Sequence, residues 1–255
     1  MFPLSSSLSS IPLLKYPRTA HLEGSRLQAG DSDDGQTPLS ELQGMNVVIE
    51  EKLDGANAAV SFTPAGELLL QSRGHYLAGG AGERQFNLFK HWAAAHEAAL
   101  LERLEDRYVM YGEWCYGKHT IFYNDLPHYL LEFDLYDARE ALFLSTARRM
   151  ELLRDAPFIA SVHVLHSGPL PSLAALQGLV GPSRFIAPGY REQLREAALA
   201  QGLDPERALG ETDPSGWMEG LYIKVEDADA VTARYKYVRS GFLQTVLDSD
   251  SHWMD

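Results

Sequence analysis

Glu51-Lys52-Leu53-Asp54-Gly55-Ala56-Asn57 is the stretch of this 255-residue chain whose residue types could do covalent chemistry. A lysine amine is ordinarily a solvated cation without nucleophilicity at neutral pH. It becomes a nucleophile when neighbouring cations or loss of solvent lower its pKa. Lys52 follows the apolar run Val47-Val48-Ile49 and precedes Gly55, whose missing side chain lets a ligand approach the backbone. Taken alone, the stretch has a plainer reading. Asp-Gly is a common hairpin turn, and a lysine beside one is a surface charge.

The elements around it follow from local pattern. Residues 45–51 read as a strand, 56–62 as a second and 67–71 as a third, with the turn Pro64-Ala65-Gly66 between the last two. The Lys52 stretch is then a tight connection between two paired strands. Four glycines between Gly74 and Gly82 predict a loop. Phe86, Phe89, Trp92, Ala93, Leu100, Leu101 and Leu104 recur at helical spacing over 83–104. Residues 108–115 and 129–136 read as strands. Residues 145–154 read as a helix capped by Ser145 or Thr146, and 156–210 as mixed and mostly helical. Residues 217–225 and 231–238 close the pattern as two strands joined by Glu226-Asp227-Ala228-Asp229. The first forty residues are rich in Ser, Pro, Gly and Asp, with 31–35 a loop by composition. Strands alternating irregularly with helices indicate an α+β protein built on antiparallel sheets.

Composition narrows the class. The chain is 45% hydrophobic and 22% charged, as ordinary globular proteins are. Cys115 is the only cysteine, which excludes an intrachain disulfide and a Cys-rich zinc site and fits a reducing, cytoplasmic setting. No apolar run is long enough to span a membrane, and Met1 to Ser10 lacks the basic start of a signal peptide. The net charge of −13 argues against a general nucleic-acid binder, though not against a local basic cleft. Of the basic groupings, Arg148, Arg149 and Arg154, and Arg184, Arg191 and Arg195, read as solvated surface. Arg234, Lys236 and Arg239 form a third. His163 and His166, His91 and His96, and the Gly79-Gly80-Ala81-Gly82 loop lack the partners that a metal site or a phosphate loop needs.

Read together, the motifs change the weight of Lys52. K-x-D-G-x-N resembles the nucleotide-binding motif of the covalent nucleotidyltransferases, the ATP-dependent ligases and RNA capping enzymes, whose lysine attacks the α-phosphate of a nucleotide. Further elements follow in the superfamily's order: Ser72-Arg73-Gly74, Tyr111-Gly112-Glu113, Glu132-Phe133-Asp134-Leu135-Tyr136-Asp137, Glu219-Gly220-Leu221-Tyr222-Ile223-Lys224 and Arg234-Tyr235-Lys236. The stretch Gly112-Glu113-Trp114-Cys115-Tyr116-Gly117-Lys118-His119, then Leu126-Pro127, looks like the stand-alone ligases of the RNA ligase 2-like branch. The resemblance covers about residues 45–239. In two places this chain departs from the group: Arg234 stands where a lysine is usual, and little chain follows Arg239.

The resemblance implies a nucleotidyltransferase (ATP-grasp-like ligase) fold, with antiparallel sheets and flanking helices around a nucleotide cleft. It implies one adenylyltransferase domain over 1–255, with a 1–44 extension, a mostly helical insertion at 140–210 and no separate C-terminal OB-type domain. Lys52 is the expected nucleophile, with Lys236 and Arg234 as catalytic cations that also depress its pKa together with Lys224. Glu51, Asn57, Arg73, Glu113, Phe133 and Lys224 are the expected nucleotide-binding residues: Glu113 for a ribose hydroxyl, Phe133 for a purine face. A core position is the plainer reading of Phe133. Glu219 is expected to hold Mg²⁺. The implied activity is ATP-dependent RNA ligation in RNA repair. AMP would pass from Lys52 to an RNA 5′-phosphate, followed by sealing to a 3′-hydroxyl. A partner protein could supply contacts that the acidic chain lacks. The alternatives are another polynucleotide ligase, a capping-type enzyme, or a non-catalytic protein of the same fold that binds nucleotides or RNA ends.

Overall fold

The computed structural model describes residues 11–27 and 35–242. The loop read over 31–35 lies outside them except for Gly35, as does the segment 1–10. In chain order the strands are β1 (Ala20–Leu22), β2 (Gln36–Thr37), β3 (Asn46–Lys52), β4 (Ala56–Phe62), β5 (Leu68–Ser72), β6 (Tyr108–Trp114), β7 (Leu130–Asp137), β8 (Leu142–Leu144), β9 (Ala160–Ser161), β10 (Val164–Pro169), β11 (Gly220–Glu226) and β12 (Ala230–Val238). The helices are α1 (Asn87–Ala95), α2 (Glu97–Leu104), α3 (Thr146–Leu153), α4 (Leu173–Gln177), α5 (Tyr190–Ala200) and α6 (Pro205–Gly210). The helix read over 83–104 is broken at His96, whose ring donates to Trp92 O (2.8 Å) and stacks on Phe158. Ser145 caps α3 by accepting from the Arg148 amide.

The mainly antiparallel sheet has two blades. One runs β10-β3-β11-β12, with β1 added parallel to β12; the other runs β7-β6-β4-β5. Short β8 pairs with both β12 and β7 and joins them. Helices α1, α2 and α3 cover one hydrophobic core, around Phe89, Leu100, Met110 and Leu135. Leu22, Ile49, Leu176, Leu221 and Ile223 build a second. Antiparallel sheets flanked by helices are the α+β architecture expected.

Two expectations are corrected. Strands β3 and β4 are not partners: β3 lies between β10 and β11, and β4 between β5 and β6. Asp54 makes no hairpin turn. Its Oδ2 accepts from the amides of Thr120 (2.7 Å) and Ile121 (2.8 Å), so the chain after Lys52 crosses from one blade to the other. The stretch 140–210 carries α3 to α6 together with short strands, of which β10 pairs along β3 and β9 along β7.

Beneath the crossing lies a closed ionic network. Lys224 on β11 sits 2.9 Å from Glu50 on β3 and 3.0 Å from Asp134 on β7. Arg149 on α3 donates to Glu50 at 2.5 Å and lies 3.7 Å from Glu132. Arg149 and Lys224 are each 1% exposed. Arg149 is therefore no solvated helix charge. Its neighbours in the sequence gave no sign of this, because its partners come from other strands. Removing one member of such a set leaves a buried charge uncompensated. Arg149→Leu is expected to lower the unfolding free energy by about 3–5 kcal/mol, read by urea denaturation; an unchanged midpoint would contradict this account of the network.

Candidate active site

A cavity of about 600 Å³ opens between the blades, lined by Lys52, Glu113, Phe133, Glu219, Tyr222 and Lys236 among others. Strand register assembles it. Lys52 ends β3 directly opposite Gly220, so its side chain meets Glu219, the residue before β11. Lys52 Nζ donates to Glu219 Oε2 at 2.6 Å. The lysine remains 26% exposed towards the cavity, and Glu219 5%. Gly220 is dictated by close approach: a Cβ there would stand 1.9 Å from Tyr237 O on β12. Gly55 is constrained in the same way, since its Cβ would come within 2.7 Å of Trp114 O. Its amide donates to Glu113 Oε1 at 3.1 Å, which fixes that carboxylate beside the Lys52 loop.

The electrostatics differ from expectation. Burial by itself pulls the Lys52 pKa down, but Glu219, Glu113 and Asp54 more than reverse this and leave it above the ordinary lysine value. Lys52 is thus held as a cation when no nucleotide is present. Lys224 and Arg234 lie outside the cavity lining. Lys224 is taken by Glu50 and Asp134, and the Arg234 guanidinium lies 3.9 Å over the Phe143 ring. Of the three expected cations, Lys236 alone lines the cavity. Burial pushes Glu113 and Glu219 up to about 7, against the opposing pull of Lys52.

The other sequence-derived residues divide by face. Asn57, Arg73, Glu113 and Phe133 line the cavity, Arg73 at its exposed rim. Phe133 is half-buried, packed against core residues while it lines the cavity, with Tyr16 at 5.2 Å and Tyr222 at 5.9 Å between ring centroids. Glu51 borders the cavity, but its carboxylate accepts from Ser183 Oγ (2.5 Å) and the Arg184 amide (3.3 Å). It anchors the 183–184 loop. Three contributors escaped the sequence reading. Asp54 organises residues 120–121, and Tyr222 lines the cavity beside Phe133. Tyr16 comes from the segment read as an extension, donates to Asp134 Oδ2 at 2.5 Å and meets the Tyr222 hydroxyl. The apolar-aromatic run around Tyr222 was a signal; nothing local marked Tyr16.

A divalent cation fits this donor set on chemical grounds. Glu219 and Glu113 are oxygen donors whose raised pKa values reflect burial without enough positive charge. Among the described residues no three His, Cys, Asp or Glu side chains converge to hold a metal unaided. Such a cation would therefore share its shell with phosphate oxygens, as Mg²⁺ commonly does.

Comparison with known proteins gives the geometry a context. Structures of Naegleria gruberi RNA ligase variants share the fold. One with ATP and Mn is 17% identical, with a TM-score of 0.51, over 88% of this chain and 60% of that one. One with AMP and Mn is 17% identical, with a TM-score of 0.52, over 89% and 62%. An apo variant is 16% identical, with a TM-score of 0.54, over 92% and 64%. The match thus spans less than two thirds of those ligases' length. No curated protein sequence matches the chain. The RNA ligase family model matches residues 45–238, from the start of the Lys52 strand through the Lys236 strand, and the chain belongs to the RNA ligase family.

Proposed function

We propose that this chain is an ATP-dependent RNA ligase that works through AMP carried on Lys52. The observation that carries the reading is the convergence of Lys52, Glu113, Phe133, Glu219 and Lys236 on one cavity, from five strands or their ends. Its size suits a nucleotide. Phe133 and Tyr222 offer aromatic surface to a purine, and Glu113 offers an acceptor to a ribose hydroxyl. Lys236 and Arg73 offer positive charge to phosphates.

In the first step Lys52 Nζ, having lost its proton, attacks the α-phosphorus of ATP. The bond to the β-phosphate oxygen breaks and pyrophosphate leaves. In the second, an RNA 5′-phosphate oxygen takes the AMP, the P–N bond breaks and the lysine is regenerated. In the third, a 3′-hydroxyl attacks the 5′-phosphorus and AMP departs. A divalent cation, Mg²⁺ or a similar ion held by Glu219, would offset phosphate charge. Glu219, which would be a ligand of that cation, is also the largest influence that keeps Lys52 protonated. The resting ion pair thus holds the amine in its non-nucleophilic form. No helix among the described residues is long and apolar enough to cross a membrane, and a cytoplasmic setting fits the single cysteine.

Incubation with α-labelled ATP and Mg²⁺ should yield an acid-labile adduct on the chain, absent in Lys52→Ala and not formed from GTP. An undiminished adduct in that variant would overturn the assignment. A second expectation follows from the ion pair. Glu219→Gln removes the main upward influence on the Lys52 pKa, so more free amine is present at a given mildly alkaline pH. Acylation of Lys52 by an amine-reactive ester, followed by peptide mapping, should therefore quicken in this variant while adenylylation falls. Slower or unchanged acylation would show that Glu219 does not hold the proton in place.

A further inference from the structure

A second cavity, also of about 600 Å³, lies between the 115–129 segment and helix α5. Its position is informative. Gly55 lines the nucleotide cavity and Cys115 this one, and a Cβ on Gly55 would stand 3.2 Å from Cys115 Sγ. A Cβ on Gly117 of this cavity would lie 3.1 Å from Oε1 of Gln85, which lines the first. The two cavities are thus separated by a single layer of residues, next to the loop that carries Lys52.

The lining has a distinct chemistry. Tyr116 and Tyr129 are 38% and 45% exposed and meet edge to face at 5.2 Å. Asn124 and Gln193, joined at 2.9 Å, and Gln201 present amide groups that both donate and accept. Lys118 donates to the backbone oxygens of His119 (2.8 Å) and Glu211 (3.1 Å), and burial pulls its pKa down to about 8. Among the described residues no Asp or Glu lines the cavity, in a chain of net charge −13. A carboxylate-free hollow with exposed aromatic faces and amide edges suits an unpaired nucleobase on a phosphate backbone. Bases splayed out of a helix are recognised by aromatic stacking and by hydrogen bonds to their edges.

We propose that this cavity receives the unpaired terminal nucleobase of the RNA strand bearing the 5′-phosphate. The proposal rests on the ligase reading and names its substrate class: ends whose terminal nucleotide is unpaired rather than stacked in an intact nicked duplex. Helix α5 then serves as an RNA-binding wall.

The test separates the two claims. Adduct formation from labelled ATP without RNA reports on the ligase reading alone, and Tyr116→Ala, Tyr129→Ala and Gln193→Ala should leave it within about twofold of wild type. Binding of a fluorescent, 5′-phosphorylated single-stranded RNA hexamer to the full chain, read by anisotropy, tests the cavity whether or not chemistry occurs. Its Kd should rise about tenfold or more in Tyr116→Ala or Tyr129→Ala, on the scale of losing one stacked base. An abasic 5′-terminal residue should weaken wild-type binding to a similar extent and add little further loss in the variants. A nicked duplex with a paired 5′ end should bind more weakly than the single strand. Unchanged affinity in both tyrosine variants, or full affinity for the abasic end, would overturn the proposal.

Discussion

The buried set Glu50, Lys224, Asp134, Arg149 and Glu132 is the interaction on which the rest of the structure depends. It ties β3, β11, β7 and α3 together at the place where the two blades meet. Burying five charges is costly, and the cost is offset only when every member finds partners. Here the surplus carboxylate charge is met by hydroxyls: Tyr16 donates to Asp134, and Ser161 to Glu132 at 2.7 Å. The network also fixes one wall of the cavity. Both Lys224 and Arg149 donate to the carbonyl oxygen of Phe133, so the backbone that presents this ring cannot drift. Lys224 therefore shapes the cavity through the Phe133 backbone without itself lining it.

The same network pins strand register, and register decides whether a site exists. On β3, Glu50 and Lys52 share a face because side chains alternate with period two. On β11, Gly220, Tyr222 and Lys224 share the matching face, with Lys52 opposite Gly220 and Glu50 opposite Tyr222. A slip of one residue would send Lys52 to the opposite face, away from Glu219. The ion pairs of Glu50 with Lys224 and Arg149 oppose such a slip from one residue pair away. Glycines at 55 and 220 permit the close approach, since neither position has room for a Cβ.

Much of this was legible in the chain. Lys52, Glu113 and Phe133 lie on strands, where period-two alternation and short motifs carry the information locally. Strands β4 and β12 fall within a residue of where pattern alone places them. What escaped depended on which strands become neighbours. Asp54-Gly55 looks like a hairpin turn in sequence, yet the Thr120 and Ile121 amides claim the aspartate. Arg149 looks like one of several helix-surface arginines until β3 and β7 close over it. Arg234 has the charge for a phosphate role and shares a strand face with Lys236, but it lies two residues further from the cavity along β12, opposite Lys224 and over the Phe143 ring. Tyr16 lies in a stretch rich in Ser and Pro without periodicity. It is placed by β1, only three residues long, pairing parallel with β12.

The charge balance is the remaining physical problem, because under the proposed function an acidic chain has to hold polyanions. The structure meets it by distribution rather than by a large basic patch. Many surplus carboxylates, such as Glu102, Glu151, Glu192 and Glu206, are solvated on outer faces, where water and salt screen them. Burial pushes the pKa of the two acids inside the cavity, Glu113 and Glu219, up to about 7, which brings their protonated forms within reach near neutral pH. A buried carboxylate that takes up a proton avoids the desolvation cost of a full charge and repels phosphate less. The protonated form can also donate to phosphate oxygen, and the ionised form is available to a cation or a ribose hydroxyl. Partial ionisation thus lets the same two residues hold Lys52 in the resting chain and still tolerate a triphosphate beside it. A more strongly basic cavity would bind phosphate harder but would leave the amine no carboxylate to keep it protonated at rest.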